Sequence, residues 1–268
     1  MVAPACPIDR AIADRVTALA AERFAGITLF FHPQCFLEAG HFAGPDRARE
    51  DAFVEVANDP EFDAVWFARG GYGCCRMAER ALDRLEGAAG DKAYLGYSDL
   101  GMLLGGLYAR GIGRQAHGSH PADVRREGGE AAMMRSLGWL AGNAGGIDPV
   151  ATGGGRYAAF NLTVLSHMLG TDLEPDLAGH ELLLEDVDEH HYRVDRALFH
   201  VTSSPAIRRV AGLRMGRFAT PENNRPFGSE VEAIFRHWCE ASGIAYLGRA
   251  DIGHDADNKV VPFGRHHE

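Results

Sequence analysis

A serine lies where an apolar segment gives way to a helical pattern. Residues 93–96 are typical of the end of a buried strand, Ser98 follows two residues later, and the helical pattern begins at Leu100. A serine at such a turn is lifted out of the sheet, beside the first N–H groups of the next helix, which can stabilise an oxyanion. The segment is similar to a G-x-S-x-G nucleophile elbow, with Leu100 in place of the final glycine. The pattern alone fits a nucleophile or a helix N-cap, and the N-cap is the commoner role.

A glycine-rich turn follows the predicted strand before it. Residues 69–73 (RGGYG) come directly after the apolar run 63–68. Glycines in this position let backbone N–H groups approach a ligand closely. A nucleotide phosphate loop would add Lys-Ser or Lys-Thr, or would show G-x-G-x-x-G spacing, and the chain has neither. The segment is either a tight turn or, if Ser98 is a nucleophile, the source of a second oxyanion donor.

Further candidate groups lie elsewhere in the chain. Residues 185–189 (EDVDE) follow an apolar run, where carboxylates bind a cation, cap a helix or orient a histidine. His254 lies in a polar loop, where a histidine is usually just exposed. Residues 117–120 (HGSH) fit a second serine–histidine site, part of a metal site, or a loop wall. Cys74 and Cys75 open a helical pattern, which favours either a lowered thiol pKa or buried packing.

Composition excludes several classes of protein. The 268 residues are 46% hydrophobic and 24% charged, as in soluble globular proteins, and the net charge of −10 argues against a nucleic-acid partner. We expect no membrane span, no secretory signal and a cytoplasmic location. Five cysteines without a C-x-x-C pair predict free thiols. The histidines are scattered and predict no metal site, and residues 265–268 are expected to form a solvated tail.

The elements that must position these residues alternate along the chain. The predicted elements of the first half are strands at 27–31, 63–68 and 93–96, helices at 46–58 (capped by Asp46), 74–85 and 99–110, and a short segment near residues 115–117. Those of the second half are helices at 161–169, 189–201 and 228–242, and strands at 181–184, 209–213 and 244–247. Alternation of this kind predicts an α/β fold with a doubly wound, mostly parallel sheet.

A change of composition divides the chain. Residues 142–155 are rich in glycine, which predicts a boundary between a domain at 1–142 and a smaller α/β domain at 143–268. A cleft between two such domains is a common place for a small-molecule site.

Taken in order, four segments resemble one family. They are residues 68–73, residues 96–99, residues 184–186 together with Tyr192 and residues 195–196, and residues 253–254. The combination resembles the LD-carboxypeptidases, serine peptidases that trim murein tetrapeptides, a family that also contains the microcin C immunity peptidases. Residues 2–5, 46–49 and 161–165 look like the family too, so the resemblance covers nearly the whole chain.

The resemblance implies a Ser–Glu–His triad in a cleft between a doubly wound N-terminal domain and a swivelling β/α-like C-terminal domain. Ser98 corresponds to the nucleophile, Glu185 to the carboxylate and His254 to the base. The oxyanion donors would be the backbone N–H groups of Gly71 and Asp99. The resemblance implies no metal or cofactor, a small muropeptide as the partner, and a homodimer.

Three functions remain open at this stage. The first is hydrolysis of the L,D-peptide bond before the terminal D-alanine of a murein tetrapeptide, in cell-wall recycling. The second is cleavage of aminoacyl- or peptidyl-nucleotide antibiotics, which would need an aromatic ring to stack on a base. Trp139 is a candidate for that ring, although a core position suits it better. The third is a catalytically silent muropeptide-binding protein.

Overall fold

The computed structural model describes residues 1–265, so residues 266–268 of the predicted tail lie outside it. The helices are α1 (Arg10–Arg23), α2 (Asp46–Asn58), α3 (Ala78–Leu82), α4 (Gly101–Ala109), α5 (Gly129–Leu140), α6 (Leu162–Met168), α7 (His191–Ser203) and α8 (Val231–Ser242). The strands are β1 (Ala64–Trp66), β2 (Ala93–Gly96), β3 (Arg114–His117), β4 (Arg156–Asn161), β5 (His180–Val187), β6 (Gly212–Ala219), β7 (Tyr246–Arg249), β8 (Val261–Pro262) and β9 (Gly264–Arg265). No helix within the described part of the chain has both the length and the apolarity needed to cross a membrane.

Two mostly parallel sheets confirm the predicted α/β class. The first has the order β1-β2-β3-β8, with the first three strands parallel and β8 antiparallel to β3. The second has the order β7-β6-β5-β4-β9, with β9 the antiparallel edge. Parallel neighbours need a crossover between them, which explains why helical and strand patterns alternate along the sequence.

The end of the described chain connects the two sheets. β8 adds to the first sheet and β9, one residue later, adds to the second. The loop that precedes β8 therefore runs beside both sheets, and it carries His254. The division of the chain into two domains at residue 142 remains a prediction. The topology shows in addition that β8, near the end of the chain, pairs with a strand of the N-terminal part.

Helix α4 lies where the two halves of the molecule pack together. Residues 101–107 of this helix are all buried, so it is apolar on every side, as a fully enclosed helix must be. A Cβ at Gly105 would lie 2.6 Å from Met168 Sδ of α6, and one at Gly106 would collide with Leu82 of α3. These two glycines allow the neighbouring helices to approach α4 closely.

The strand predicted at residues 27–31 is wrong. This segment is extended but is not part of either sheet, and Phe30 is 44% exposed. The beginning of the chain pairs next to β1 instead, through a parallel bridge between Val2 and Phe67. Residues 1–3 occupy the edge beside β1, and the apolar run lies outside them, joined to Met1 by backbone hydrogen bonds at Phe30 and His32 but without a strand of its own.

Other predictions differ at their boundaries. Asp46 is the first residue of α2 rather than its cap, because Pro45 takes the N-cap position. The helix predicted at 74–85 is a 3₁₀ turn at Cys74–Arg76 followed by the short α3. The strand predicted at 209–213 begins three residues later, since a 3₁₀ turn occupies Ile207–Arg209. Helices α1 and α5 and strands β4, β8 and β9 have no counterpart in the sequence prediction.

Candidate active site

Neighbouring parallel strands bring the serine and the glycine-rich turn together. β1 and β2 pair in parallel with Trp66 opposite Leu95, so the segments that follow them leave the same edge of the sheet. A Cβ at Gly70 would lie 2.9 Å from Ser98 Cβ and 3.0 Å from Ser98 Oγ. The turn therefore passes directly over the serine, and only a residue without a side chain fits there.

The backbone of Ser98 adopts a left-handed conformation. Its φ is +59°, which among the described non-glycine residues only Asp188 shares. Such a conformation costs on the order of 1–3 kcal/mol and occurs preferentially at functional sites. Ser98 opens a 3₁₀ turn whose N-cap is Tyr97, so the serine is not the cap residue. The N–H of Asp99, at the start of the turn, has no acceptor within the helix.

The side chain of Asp99 ties the two loops to each other. Its Oδ2 accepts a hydrogen bond of 2.8 Å from the backbone N–H of Cys74, just after the glycine turn. Burial raises the pKa of Asp99 above its ordinary value. Gly71 has a φ of +114°, and a Cβ there would collide with Cys6 Sγ. Sequence reasoning assigned Asp99 only a backbone role and missed this anchoring bond.

A histidine and a glutamate form the second part of the site. His254 Nδ1 lies 2.5 Å from Glu185 Oε2, and the two side chains are 6% and 0% exposed. Burial alone lowers the pKa of His254, but the charge and hydrogen bond of Glu185 outweigh it, so the pKa is raised above its ordinary value. His254 Nε2 and Glu185 Oε1 are buried and have no hydrogen-bond partner in the protein.

An irregularity in the second sheet orients Glu185. The register between β5 and β6 shifts between Leu184 and Asp186, because Glu185 lies opposite two residues of β6, Gly216 and Arg217. The extra residue of this bulge therefore belongs to β6, and the bulge changes how the two strands face each other at Glu185. A Cβ at Gly216 on β6 would lie 2.9 Å from Glu185 Cβ and 2.8 Å from the carbonyl oxygen of Ile252. Gly216 thus lets the histidine loop approach the glutamate, a requirement that the sequence pattern did not reveal.

Tyr97 connects the serine to the histidine. The ring centroids of Tyr97 and His254 are 4.7 Å apart, and the Tyr97 hydroxyl donates to Asp123 Oδ1 at 2.9 Å. Ser98 and His254 line the same cavity, of about 470 Å³. They form no direct hydrogen bond, because His254 Nε2 has no partner. Catalytic hydrogen bonds are often long in structures without substrate.

The other carboxylate of this segment has a supporting position. Asp186 accepts hydrogen bonds from Asn161 Nδ2 at 2.7 Å and from Thr163 Oγ1 at 2.8 Å, at the beginning of α6. Burial, together with the charge of Glu185, raises the pKa of Asp186 to about 6. Of the two adjacent acids, Glu185 contacts the histidine and Asp186 holds α6 against β5.

The remaining sequence candidates lie in other surroundings. His117 is buried and burial lowers its pKa to about 4, while the Ser119 hydroxyl accepts from Asn258 at 3.2 Å. Trp139 packs against a hydrophobic cluster that includes residues of both sheets. All five cysteines are free, and burial raises the pKa of Cys74. Within residues 1–265 no three His, Cys, Asp or Glu side chains converge as a metal site.

Comparisons with known proteins agree over most of the chain. Residues 1–118 match the family model for the LD-carboxypeptidase N-terminal domain, and residues 154–268 match that for the C-terminal domain. Murein tetrapeptide carboxypeptidase of Pseudomonas aeruginosa is 31% identical over 245 residues, which are 84% of this chain and 78% of that protein.

Solved structures show the same fold. The crystal structure of muramoyltetrapeptide carboxypeptidase from Oxalobacter formigenes has a TM-score of 0.80 at 24% identity, over 98% of this chain and 92% of that one. Microcin C7 self-immunity protein MccF, in complex with glutamyl sulfamoyl guanosine, has a TM-score of 0.77 at 14% identity, over 98% and 90% of the two chains.

Proposed function

The chain belongs to the LD-carboxypeptidase family, and on that premise we propose that it is a serine carboxypeptidase acting on murein tetrapeptides. The bond cleaved is the L,D-peptide bond before the terminal D-alanine. The observation that carries the proposal is the buried pair of His254 and Glu185: Nε2 of His254 has no hydrogen-bond partner, and His254 and Ser98 line the same cavity.

Each group has a role in the proposed reaction. Ser98 Oγ attacks the scissile carbonyl while His254 Nε2 takes its proton, and the backbone N–H groups of Gly71 and Asp99 stabilise the oxyanion. His254 then gives the proton to the leaving amine of D-alanine, and a water molecule hydrolyses the acyl-enzyme by the same sequence. Glu185 fixes the tautomer of His254 and stabilises the imidazolium.

The test is release of D-alanine from a free tetrapeptide, followed by mass spectrometry. Ser98→Ala should reduce kcat by at least about 10³-fold and leave substrate binding largely intact. Ser119→Ala is the matched control, because this serine belongs to the competing HGSH segment and has no contact with His254. Its hydroxyl accepts from Asn258, which in turn accepts from the N–H of Gly253, so this variant should lose at most a small part of the activity. Equal release by wild type and Ser98→Ala would contradict the proposal, as would loss of activity in Ser119→Ala alone.

Two further assays separate the other functions. Competition between the tetrapeptide and an aminoacyl sulfamoyl-adenosine distinguishes murein hydrolysis from cleavage of nucleotide antibiotics. Trp139 lines neither of the cavities around Ser98, so it supports no base-stacking role. A fluorophosphonate probe should label Ser98 in an active peptidase, whereas a silent binding protein would bind muropeptide without being labelled.

The proposal also covers the oligomeric state, the cellular location and the partners of the enzyme. Family membership supports a homodimer that works in cytoplasmic peptidoglycan recycling, with neither nucleic acid nor membrane as a partner. Light scattering on the purified protein measures the oligomeric state directly, and a monomer would remove the dimer from the proposal.

A further inference from the structure

Ser98 lies between two cavities of opposite charge. The cavity of about 470 Å³ that it shares with His254 is lined by Arg69, Arg125 and Arg126, with Asp123 as its one acidic residue; we call it the arginine cavity. A second cavity of about 650 Å³, the acidic cavity, is lined by Ser98 and four acidic residues but by no lysine or arginine; the four are Glu79, Asp99, Asp186 and Glu189. A cationic cavity is notable in a chain whose net charge is −10.

The three arginines are not equally available to a ligand. Arg125 forms an ion pair with Asp9, outside the cavity lining. Arg69 donates from Nη1 to the carbonyl oxygen of Pro7 at 3.0 Å. Arg126 donates from Nη1 to the carbonyl oxygen of His254, and its Nε lies 3.4 Å from Asp123 Oδ1. This arrangement leaves Nη2 of Arg126 for a ligand, on a side chain that is 40% exposed.

Asp123 offsets only part of this positive charge, because it is the one acidic residue among three arginines in the lining of the cavity. It is nearly fully buried, and it accepts hydrogen bonds of 2.9 Å from the Tyr97 hydroxyl and from the backbone N–H of His120. Its carboxylate therefore orients Arg126 from the protein side. The solvent side of the guanidinium remains open toward the cavity.

We propose that Arg126, assisted by Arg69, binds the terminal carboxylate of the peptide, so that the leaving D-amino acid occupies the arginine cavity. This inference rests on the proposed peptidase function. A guanidinium is suited to a carboxylate because it offers parallel N–H donors and a permanent charge. The acidic cavity would repel the same carboxylate, so it receives the acyl part of the substrate, and an acyl part with a free amine fits it best.

The position of Arg126 also links substrate binding to the catalytic base. The same guanidinium that would hold the carboxylate holds the backbone of His254 through Nη1. A peptide with its carboxylate in place would therefore lie at a fixed distance from the imidazole. An internal peptide bond lacks that carboxylate and gains no such contact, which restricts cleavage to the end of the peptide.

The experiment compares the tetrapeptide with its C-terminal amide. Wild type should prefer the free acid by about 10- to 100-fold in kcat/KM, the effect of a charged hydrogen bond. Arg126→Gln should bring this ratio close to one. A general effect of the substitution on the His254 loop would change kcat/KM for both substrates equally, so it cancels in the ratio of the two values. Arg125→Gln is the matched control and should keep the wild-type ratio, because its guanidinium already pairs with Asp9.

Binding to inactive protein separates this inference from the proposed function. In the Ser98→Ala background, calorimetry should show tighter binding of the acid than of the amide, and adding Arg126→Gln should abolish the difference. If wild type released no D-alanine but this difference were present, the proposed function would fail and the carboxylate site would stand. The inference is overturned if the inactive protein binds the acid and the amide equally well. It is also overturned if the difference in affinity persists in the Arg126→Gln variant.

Discussion

At the scale of single residues, the bond between Glu185 and His254 decides what the site can do. Both side chains are buried, so the carboxylate acts on the imidazole with little screening by water. It raises the pKa of His254 against the opposing effect of burial. The histidine that appeared in sequence as a lone residue in a polar loop is therefore a partner in a buried charged pair.

Glu185→Gln should reduce kcat by about 10³- to 10⁴-fold, because an amide no longer fixes the tautomer that leaves Nε2 free to accept a proton. Steady-state hydrolysis of the tetrapeptide measures the effect. Glu181→Gln is the control, since Glu181 lies on the same strand but pairs with Arg214 at 2.6 Å. A loss of activity of the same size in both variants would mean that the strand, and not the pair with His254, is responsible.

The pH dependence of kcat/KM should also show the effect of Glu185 on His254. General-base catalysis needs neutral His254, so the rate falls as pH decreases through the pKa of this residue. Since Glu185 raises that pKa above its ordinary value of 6.5, the acidic limb of wild type should lie above pH 6.5. In Glu185→Gln the residual activity should show this limb at lower pH, because the effect of Glu185 that opposes burial is then lost. A limb at the same pH in both proteins would show that another group titrates.

At the scale of elements, the elbow is positioned by the turn that crosses it. The left-handed backbone of Ser98, the missing side chain at Gly70 and the Asp99–Cys74 hydrogen bond belong to one arrangement. Because β1 and β2 are paired, the glycine-rich turn after β1 and the serine turn after β2 are held beside each other. Sequence reasoning identified both segments, because each has an unusual composition, but it did not identify the bond between them.

Gly70→Ala tests this arrangement. The added methyl group would lie 2.9 Å from Ser98 Cβ and 3.2 Å from His120 Cε1, and no positive φ adds strain of its own, so the main effect should fall on the nucleophile. We expect kcat to fall by about 100-fold, as for a displacement near 1 Å, with little change in the thermal midpoint. Gly90→Ala is the control, because a Cβ at Gly90 would have no neighbour within 4 Å and the variant should leave kcat unaltered. Wild-type activity in Gly70→Ala would show that the turn is not in contact with the reacting serine.

At the scale of the whole molecule, the site depends on two sheets that are held together. Ser98 follows strand β2 of the first sheet and Glu185 lies in strand β5 of the second, while His254 lies in the loop that leads to β8. Helix α4 packs between these parts, and Gly105 allows its contact with Met168. The catalytic geometry is therefore a property of the packing between the halves and not of either half alone.

Gly105→Val should lower the thermal midpoint by several degrees, because the branched side chain would collide with Met168 and approach the carbonyl oxygen of Leu173. Overpacking of this kind costs about 1–3 kcal/mol. Thermal unfolding followed by circular dichroism measures the shift. Gly154→Val, at a position with open space around it, should leave the midpoint nearly unchanged. Equal midpoints in the two variants would argue against close packing at α4.

Local signals in the sequence were sufficient to predict the α/β class, most of the longer helices and strands, and the types of residue in the candidate site. Strand alternation, a serine at a strand end and a glycine-rich turn are patterns within a few neighbouring residues. The strand prediction at 27–31 failed because it was based on composition alone. Whether such a segment pairs as a strand depends on which part of the chain occupies the sheet edge. Residues 1–3 hold that edge, and no local pattern records it.

The contacts that make a site of these residues come only from the tertiary structure. Glu185 and His254 are 69 positions apart, and their contact depends on a bulge in β6 and on the missing side chain of Gly216, which lies opposite Glu185. The charge difference between the two cavities likewise arises where distant segments meet. Sequence determined which chemical groups are present and on which element each lies, whereas distance, burial and partner are set by packing between elements far apart in the chain.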